Sequence, residues 1–140
     1  MTKKVVILDE LPRKVYSSVF EGHDIDVVDR RDLNESGLER ALREAHAIIV
    51  RSSTFIEEDF FARTPNLEVI GRAGTGTDTI DVVAATERGV LVTNTPDENT
   101  TSASELTIGF MYSLARNIPK LHNALRAGNG GARSEYLGTE

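Results

Sequence analysis

Cysteine and tryptophan are both absent from this 140-residue chain, and aromatic residues make up only 6% of it. Without a thiol there is no disulfide framework, no cysteine nucleophile and no zinc–thiolate site. Long hydrophobic runs are missing too, since no apolar stretch approaches the ~20 residues that a membrane-spanning helix needs. The opening Met1-Thr2-Lys3-Lys4 leads straight into the short apolar segment Val5 to Leu8, too brief for a secretory signal, so the expected location is cytoplasmic. Positive charge is in deficit: 16 Lys and Arg stand against 22 Asp and Glu, for a net charge of −6. Such a surface is not built to neutralise phosphates, which argues against a nucleic-acid partner and confines any cationic site to a local cluster. Histidine is scarce as well. His23, His46 and His122 share no face at metal-ligand spacing, so no metal site is expected.

What remains is an ordinary globular composition, 39% hydrophobic and 27% charged, long enough for one domain with a sizeable core. Five short β-rich runs recur about every twenty residues: Val5 to Leu8, Ile25 to Val28, Ala47 to Val50, Leu67 to Ile70 and Val90 to Thr93. The first, third and fifth are continuously apolar, as in a strand covered by helices on both faces, and helical segments alternate with all five. The fold class is therefore α/β, a doubly wound five-stranded parallel sheet of order 2-1-3-4-5. Three capping boxes are read at helix starts, Ser36 with Glu39, Thr54 with Glu57 and Ser102 with Glu105, and Gly89 closes the helix that begins near Ile80. A long terminal helix runs from about Ser102 to Asn117 and resumes after Pro119 to Arg126. Its apolar residues, among them Leu106, Ile108, Phe110, Met111 and Leu114, spread around most of the circumference. One face is expected to cover the sheet and the surplus to meet another domain or subunit. Gly128-Asn129-Gly130-Gly131-Ala132 has linker composition.

The richest segment is Gly71-Arg72-Ala73-Gly74-Thr75-Gly76-Thr77-Asp78, between a strand-like run and a helix-like one. Glycine permits positive φ and lets main-chain N–H groups approach an anion, and a following helix N-terminus adds partial positive charge. It is not a dinucleotide fingerprint, because counting from Gly74 and Gly76 the third glycine position falls on Thr79. In a doubly wound sheet ligands sit beyond the carboxyl ends of the strands. Those ends carry Asp9-Glu10-Leu11-Pro12, Arg51-Ser52-Ser53-Thr54, Arg72 with the glycine loop, and Asn94 to Asn99. Arg51 and Arg72 at neighbouring ends, with hydroxyls and amides between them, suit a small anion such as a carboxylate or phosphate. Either arginine could instead pair with Asp9, Asp78 or Asp81. A phosphoreceiver domain needs an aspartate where Arg51 stands, and a flavodoxin needs a phosphate loop where Asp9 and Glu10 stand, so both are disfavoured. No complete catalytic constellation is visible.

Five blocks carry a resemblance: Ile49-Val50-Arg51-Ser52, the run Val69 to Asp81, Val92-Thr93-Asn94-Thr95-Pro96, Glu105-Leu106-Thr107 and Leu114-Ala115-Arg116-Asn117-Ile118-Pro119. With them the chain resembles the D-isomer-specific 2-hydroxyacid dehydrogenase family along nearly its whole length, and its phosphoglycerate branch in particular. The resemblance implies the flavodoxin-like substrate-binding domain of an NAD-dependent oxidoreductase acting on 3-phosphoglycerate in serine biosynthesis. It places that domain at residues 1–127 with a tail or interdomain segment at 128–140. It also implies that Arg51, Ser52, Arg72 and the backbone of Ala73, Gly74, Thr75 and Gly76 meet the substrate, that Arg133 assists with the phosphate, and that Thr75, Gly76 and Thr107 approach the nicotinamide. One departure is local: glycine replaces the family's tryptophan before the matching arginine, beside Gly130-Gly131. The family's fingerprint, nucleotide domain and catalytic residues follow the segment matching Tyr136 to Glu140. The chain alone is thus expected to bind no NAD and to be inactive. Two other readings stand beside this one. One is a scaffold domain forming a homodimer through its terminal helix, and the other a minimal nucleotide-binding domain, weakened by Asn94 where an acidic ribose ligand is wanted.

Overall fold

The computed structural model describes residues 2–138, in two compact units, Met1–Glu98 and Asn99–Glu140, each taken by itself. In the first, five parallel strands form one sheet, β1 (Lys3–Ile7), β2 (Ile25–Asp29), β3 (Ala47–Val50), β4 (Val69–Arg72) and β5 (Leu91–Asn94), in the order β2-β1-β3-β4-β5. The expected sheet order is the observed one. Register sets the core: Val6 lies opposite Ile48, Ile48 opposite Ile70, and Ile70 opposite Val92, so alternate residues of four strands form one apolar row. Against that row pack α2 (Glu35–Glu44) through Leu38, Ala41 and Leu42, α3 (Phe60–Arg63) through Phe60 and Phe61, and α4 (Val82–Glu87) through Ala84 and Ala85. The fifth strand departs from expectation. It is an edge strand: Val90, just before it, is buried in the core and Val92 packs against that core, but Leu91 is exposed, so the apolar run is not covered on both faces. On α1 (Arg13–Phe20) no residue is buried, and Tyr16 and Phe20 are half-buried.

Helix starts also differ from the capping boxes read in the sequence. Asn34 caps α2 by accepting from Gly37 N–H at 2.8 Å, while Ser36 lies inside the helix and donates its hydroxyl to Asn34. Thr54 caps nothing. Its hydroxyl is drawn to Asp9, and the chain continues into an isolated parallel bridge between Ile56 and Ile80 before α3 begins after Asp59. For α4 the cap is Asp81, accepting from Ala84 N–H at 2.9 Å, and Gly89 at φ 73° ends that helix as expected.

The second unit contains α5 (Thr100–Ala115), α6 (Ile118–Arg126) and the short α7 (Ala132–Glu135). Helix α5 starts two residues before Ser102, so the third capping box is an interior pair. No residue of α5 or α6 is buried, and Leu106, Phe110, Met111 and Leu114 of α5 are all more than half exposed. The expectation that one face of α5 is buried is thereby corrected. Asn117, in the left-handed region at φ 51°, turns the chain between the two helices. The segment with linker composition leads into α7, whose Ala132 is fully buried. Gly138, at φ 74°, lies so close to Ala115 and Arg116 that a Cβ would stand 2.3 Å from the Ala115 carbonyl oxygen.

Candidate anion site at the carboxyl edge of the sheet

Strand order reverses between β1 and β3, and the crevice beyond their carboxyl ends is where such sheets place ligands. Asp9 leaves the end of β1 and the turn Arg51-Ser52-Ser53-Thr54 leaves the end of β3. Asp9 is only 9% exposed. Its carboxylate accepts from the Arg51 amide, from the Thr54 amide at 3.3 Å and from the Thr54 hydroxyl at 2.7 Å. The pairing of Asp9 with an arginine is thus to the main chain of Arg51, not to its guanidinium. That guanidinium is exposed and reaches the Glu10 carbonyl oxygen from Nη1 at 3.4 Å, and Ser52 beside it is exposed.

One strand over, β4 delivers Arg72 and the glycine loop. Arg72 is 8% exposed, yet no carboxylate pairs with it among the described residues. Nη1 donates to the Ala73 carbonyl at 3.3 Å, and the buried Nε has no hydrogen-bond partner among those residues. A buried guanidinium without a counter-charge is a costly arrangement, and an anion would relieve it. The loop itself is not shaped as the sequence suggests. Neither Gly74 nor Gly76 has positive φ. Glycine is required by close approach instead: a Cβ on Gly74 would stand 2.6 Å from Arg72 Nη1, and one on Gly76 2.5 Å from Asp78 Oδ1. The amide of Ala73 is already committed to the Val50 carbonyl at 2.8 Å and that of Gly74 to the Arg72 carbonyl at 2.9 Å. Nor does a helix start at the loop, because the Ile56–Ile80 bridge intervenes and the six-residue α4 begins only after its cap, Asp81.

The edge strand supplies bracing for this loop. Asn94 Nδ2 donates to the Thr75 carbonyl at 2.7 Å, and the Thr95 amide donates to the Gly74 carbonyl at 3.0 Å. At the far side the two loops are joined where Ile56 N–H donates to the Thr79 carbonyl and Asp81 N–H to the Ile56 carbonyl, both at 2.8 Å. Arg51, Ser52 and Arg72 to Gly76 are thereby gathered on adjoining loops of one unit. A marker for Asn94 and Thr95 was available, an amide and a hydroxyl at the carboxyl end of an edge strand. The Ile56–Ile80 bridge had none, since it joins residues twenty-four positions apart outside any strand pattern.

Two sequence-derived candidates belong to the second unit. The Thr107 hydroxyl is turned back to the Ala103 carbonyl of its own helix at 2.8 Å. Arg133, on α7, lines a groove with Arg116, Ile118, Leu121, Tyr136 and Leu137.

The whole architecture is shared with solved proteins. The 2-hydroxyacid dehydrogenase from Ketogulonicigenium vulgare Y25 superposes with a TM-score of 0.75 at 25% identity, covering 99% of this chain and 44% of that one. The NAD+-bound 3-phosphoglycerate dehydrogenase of Entamoeba histolytica gives 0.65 at 28% identity, over 83% of this chain and 40% of that one. Among curated relatives, the D-3-phosphoglycerate dehydrogenase of Homo sapiens is 38% identical over 138 residues, 99% of this chain and 26% of the relative. The enzyme of that name from Methanocaldococcus jannaschii is 36% identical over 137 residues, 98% of this chain and 26% of the relative. The chain thus spans about a quarter of the length of these relatives. Residues 5–137 match the catalytic domain of the D-isomer specific 2-hydroxyacid dehydrogenases, and the chain belongs to that family.

Proposed function

We propose that this chain is the substrate-recognition portion of an NAD-dependent dehydrogenase that oxidises 3-phosphoglycerate. The observation that carries the reading is Arg72, a buried guanidinium that among the described residues has an unpartnered Nε and no carboxylate ion-paired with it, one strand from the exposed Arg51. Two arginines on adjoining loops suit a ligand with both a carboxylate and a phosphate, and Arg133 is assigned to the phosphate by family resemblance. In the unliganded arrangement the Ala73 amide is held by the Val50 carbonyl of β3 and the Gly74 amide by the Arg72 carbonyl, so the first anion contacts are assigned to the guanidiniums and Ser52.

NAD supplies the hydride acceptor in such an enzyme, and the residues present do not fit a whole dinucleotide. The amides of Ala73 and Gly74 are committed, Asp9 and Glu10 follow β1, and Thr79 stands where the fingerprint wants glycine. Thr75, Gly76 and Thr107 are assigned to its reacting end only, and the 140 residues by themselves are assigned no turnover. Titration of the 15N-labelled chain with 3-phosphoglycerate is expected to shift the Arg51, Ser52 and Gly74 amides and the Arg72 Nε resonance, with an affinity on the order of millimolar in an open cleft. No shift at any of these at ~10 mM ligand would overturn the assignment. A second reading, homodimerisation through α5, is favoured by the exposure of Leu106, Phe110 and Leu114 along that helix.

A further inference from the structure

We infer that Asp9 is a positioning residue for Arg51, a clamp that fixes where the Arg51 guanidinium leaves the sheet; this rests on reading the Arg51 turn as an anion-recognition element. A buried carboxylate beside a site for anions is at first sight a liability, because like charges repel and the site gains nothing from another negative group. Its partners explain its presence. Among the described residues Asp9 makes no ion pair, and its three hydrogen bonds all come from one four-residue turn: the Arg51 amide at the start, and the Thr54 amide and hydroxyl at the end. Both ends of the turn are thus tied to a single rigid group rooted in β1, across the crevice between β1 and β3. A loop that joins a strand to an isolated bridge has few other ways to hold a fixed shape. With the turn pinned at Arg51 N–H and the Arg51 tip lying against the Glu10 carbonyl, main chain and side chain of Arg51 are both referred to the Asp9–Glu10 corner. Such referencing matters because small displacements of a binding group cost affinity steeply.

The chemistry of the clamp separates positioning from charge. Asparagine at position 9 keeps one acceptor oxygen for the two amides. Its NH2 group can donate to the Thr54 hydroxyl, which reverses its role from donor to acceptor. Asp9→Asn therefore keeps the geometry and removes the charge, whereas Asp9→Ala removes both. If Asp9 acts by positioning, 3-phosphoglycerate affinity falls about tenfold in Asp9→Ala and stays within about twofold of the parent in Asp9→Asn. In Asp9→Ala the ligand-induced shifts at Arg51 collapse, while those at Arg72 and Gly74, on the other loop, persist. Unchanged affinity in Asp9→Ala, or an equal loss in both variants, overturns the proposal. Tighter binding in both would assign Asp9 the role of a repelling charge and overturn it too. Should Asp9→Ala not fold, Thr54→Val, which cuts one link and leaves the carboxylate its two amides, is expected to lose about threefold, and no loss there is equally decisive. If the parent chain binds no 3-phosphoglycerate, the substrate assignment fails. The clamp then stands or falls on the unliganded Arg51 amide resonance, displaced downfield by its charged acceptor in the parent and not in Asp9→Ala.

Discussion

At the scale of single residues, the two loop glycines look alike in sequence and differ in what confines them. A methyl on Gly74 meets Arg72 Nη1 at 2.6 Å and Cζ at 3.1 Å, and Arg72 is buried, so its head group has no solvent to swing into. A methyl on Gly76 meets the carboxylate of Asp78, an exposed side chain that is free to rotate away. Gly74→Ala is therefore expected to cost about 1–2 kcal/mol in denaturant unfolding and to weaken 3-phosphoglycerate binding, while Gly76→Ala leaves stability within about 0.5 kcal/mol. Equal effects of the two substitutions would refute this account. The segment was legible as a site from its composition, but not the reason for its glycines. That reason lies in the path of the Arg72 side chain, whose Nη1 turns back to the Ala73 carbonyl of its own loop, while the amide of Ala73 is held by the Val50 carbonyl of the neighbouring strand. Local sequence carries neither.

Among the elements, α1 poses the plainest question, because it buries no residue and so has no core contact to hold it. A polar clasp at the end of β2 answers it. Asp29, 5% exposed, accepts from the Tyr16 hydroxyl of α1 at 2.6 Å and from Arg31 through Nη2 at 2.6 Å, and Arg13 of α1 reaches Asp32 at 2.7 Å. The Arg31 hydrogen bonds, with that of Tyr16 and against the opposing effect of burial, hold the Asp29 carboxyl well below its ordinary value of 3.8. A carboxylate lowered in the folded state contributes stability that is complete above its unfolded value and lost as pH falls below it. Circular dichroism from pH 6 to pH 2 should then show the parent losing stability steeply below about pH 4, and Asp29→Asn less steeply, from a starting point about 1 kcal/mol lower. Parallel acid transitions would exclude the clasp as their source. Strand order and the alternation with helices were readable because four strands run through a common apolar row, and a hydrophobic run announces itself. Helix starts were not. Which residue caps α2 depends on where the preceding 3-10 turn (Arg30–Asp32) releases the chain, and Thr54 was taken from its cap role by a carboxylate forty-five residues away.

Taken as a whole, the molecule divides its apolar residues unequally. Among the described residues, those up to Glu98 include every buried apolar residue except Ala132, whereas α5 and α6 bury none. The all-round apolar character of α5 was legible in its sequence, but a pattern without a polar face cannot say which side is covered, and here Leu114 is 74% exposed. Since local opening free energies follow buried apolar contacts, amides of β1, β3 and β4 are expected to exchange only through global unfolding. Those of α5 should exchange orders of magnitude faster in dilute solution, through fraying of a helix that little packing supports. Concentration then separates two origins of any protection in α5. Leu106, Phe110 and Leu114 recur every four residues and so share one stripe of the helix. If that stripe self-associates, α5 protection rises with protein concentration and is abolished by Phe110→Glu, with β3 and β4 unaffected. Protection in α5 that equals that of the sheet and ignores concentration would refute both the division of stability between the units and the dimer through α5.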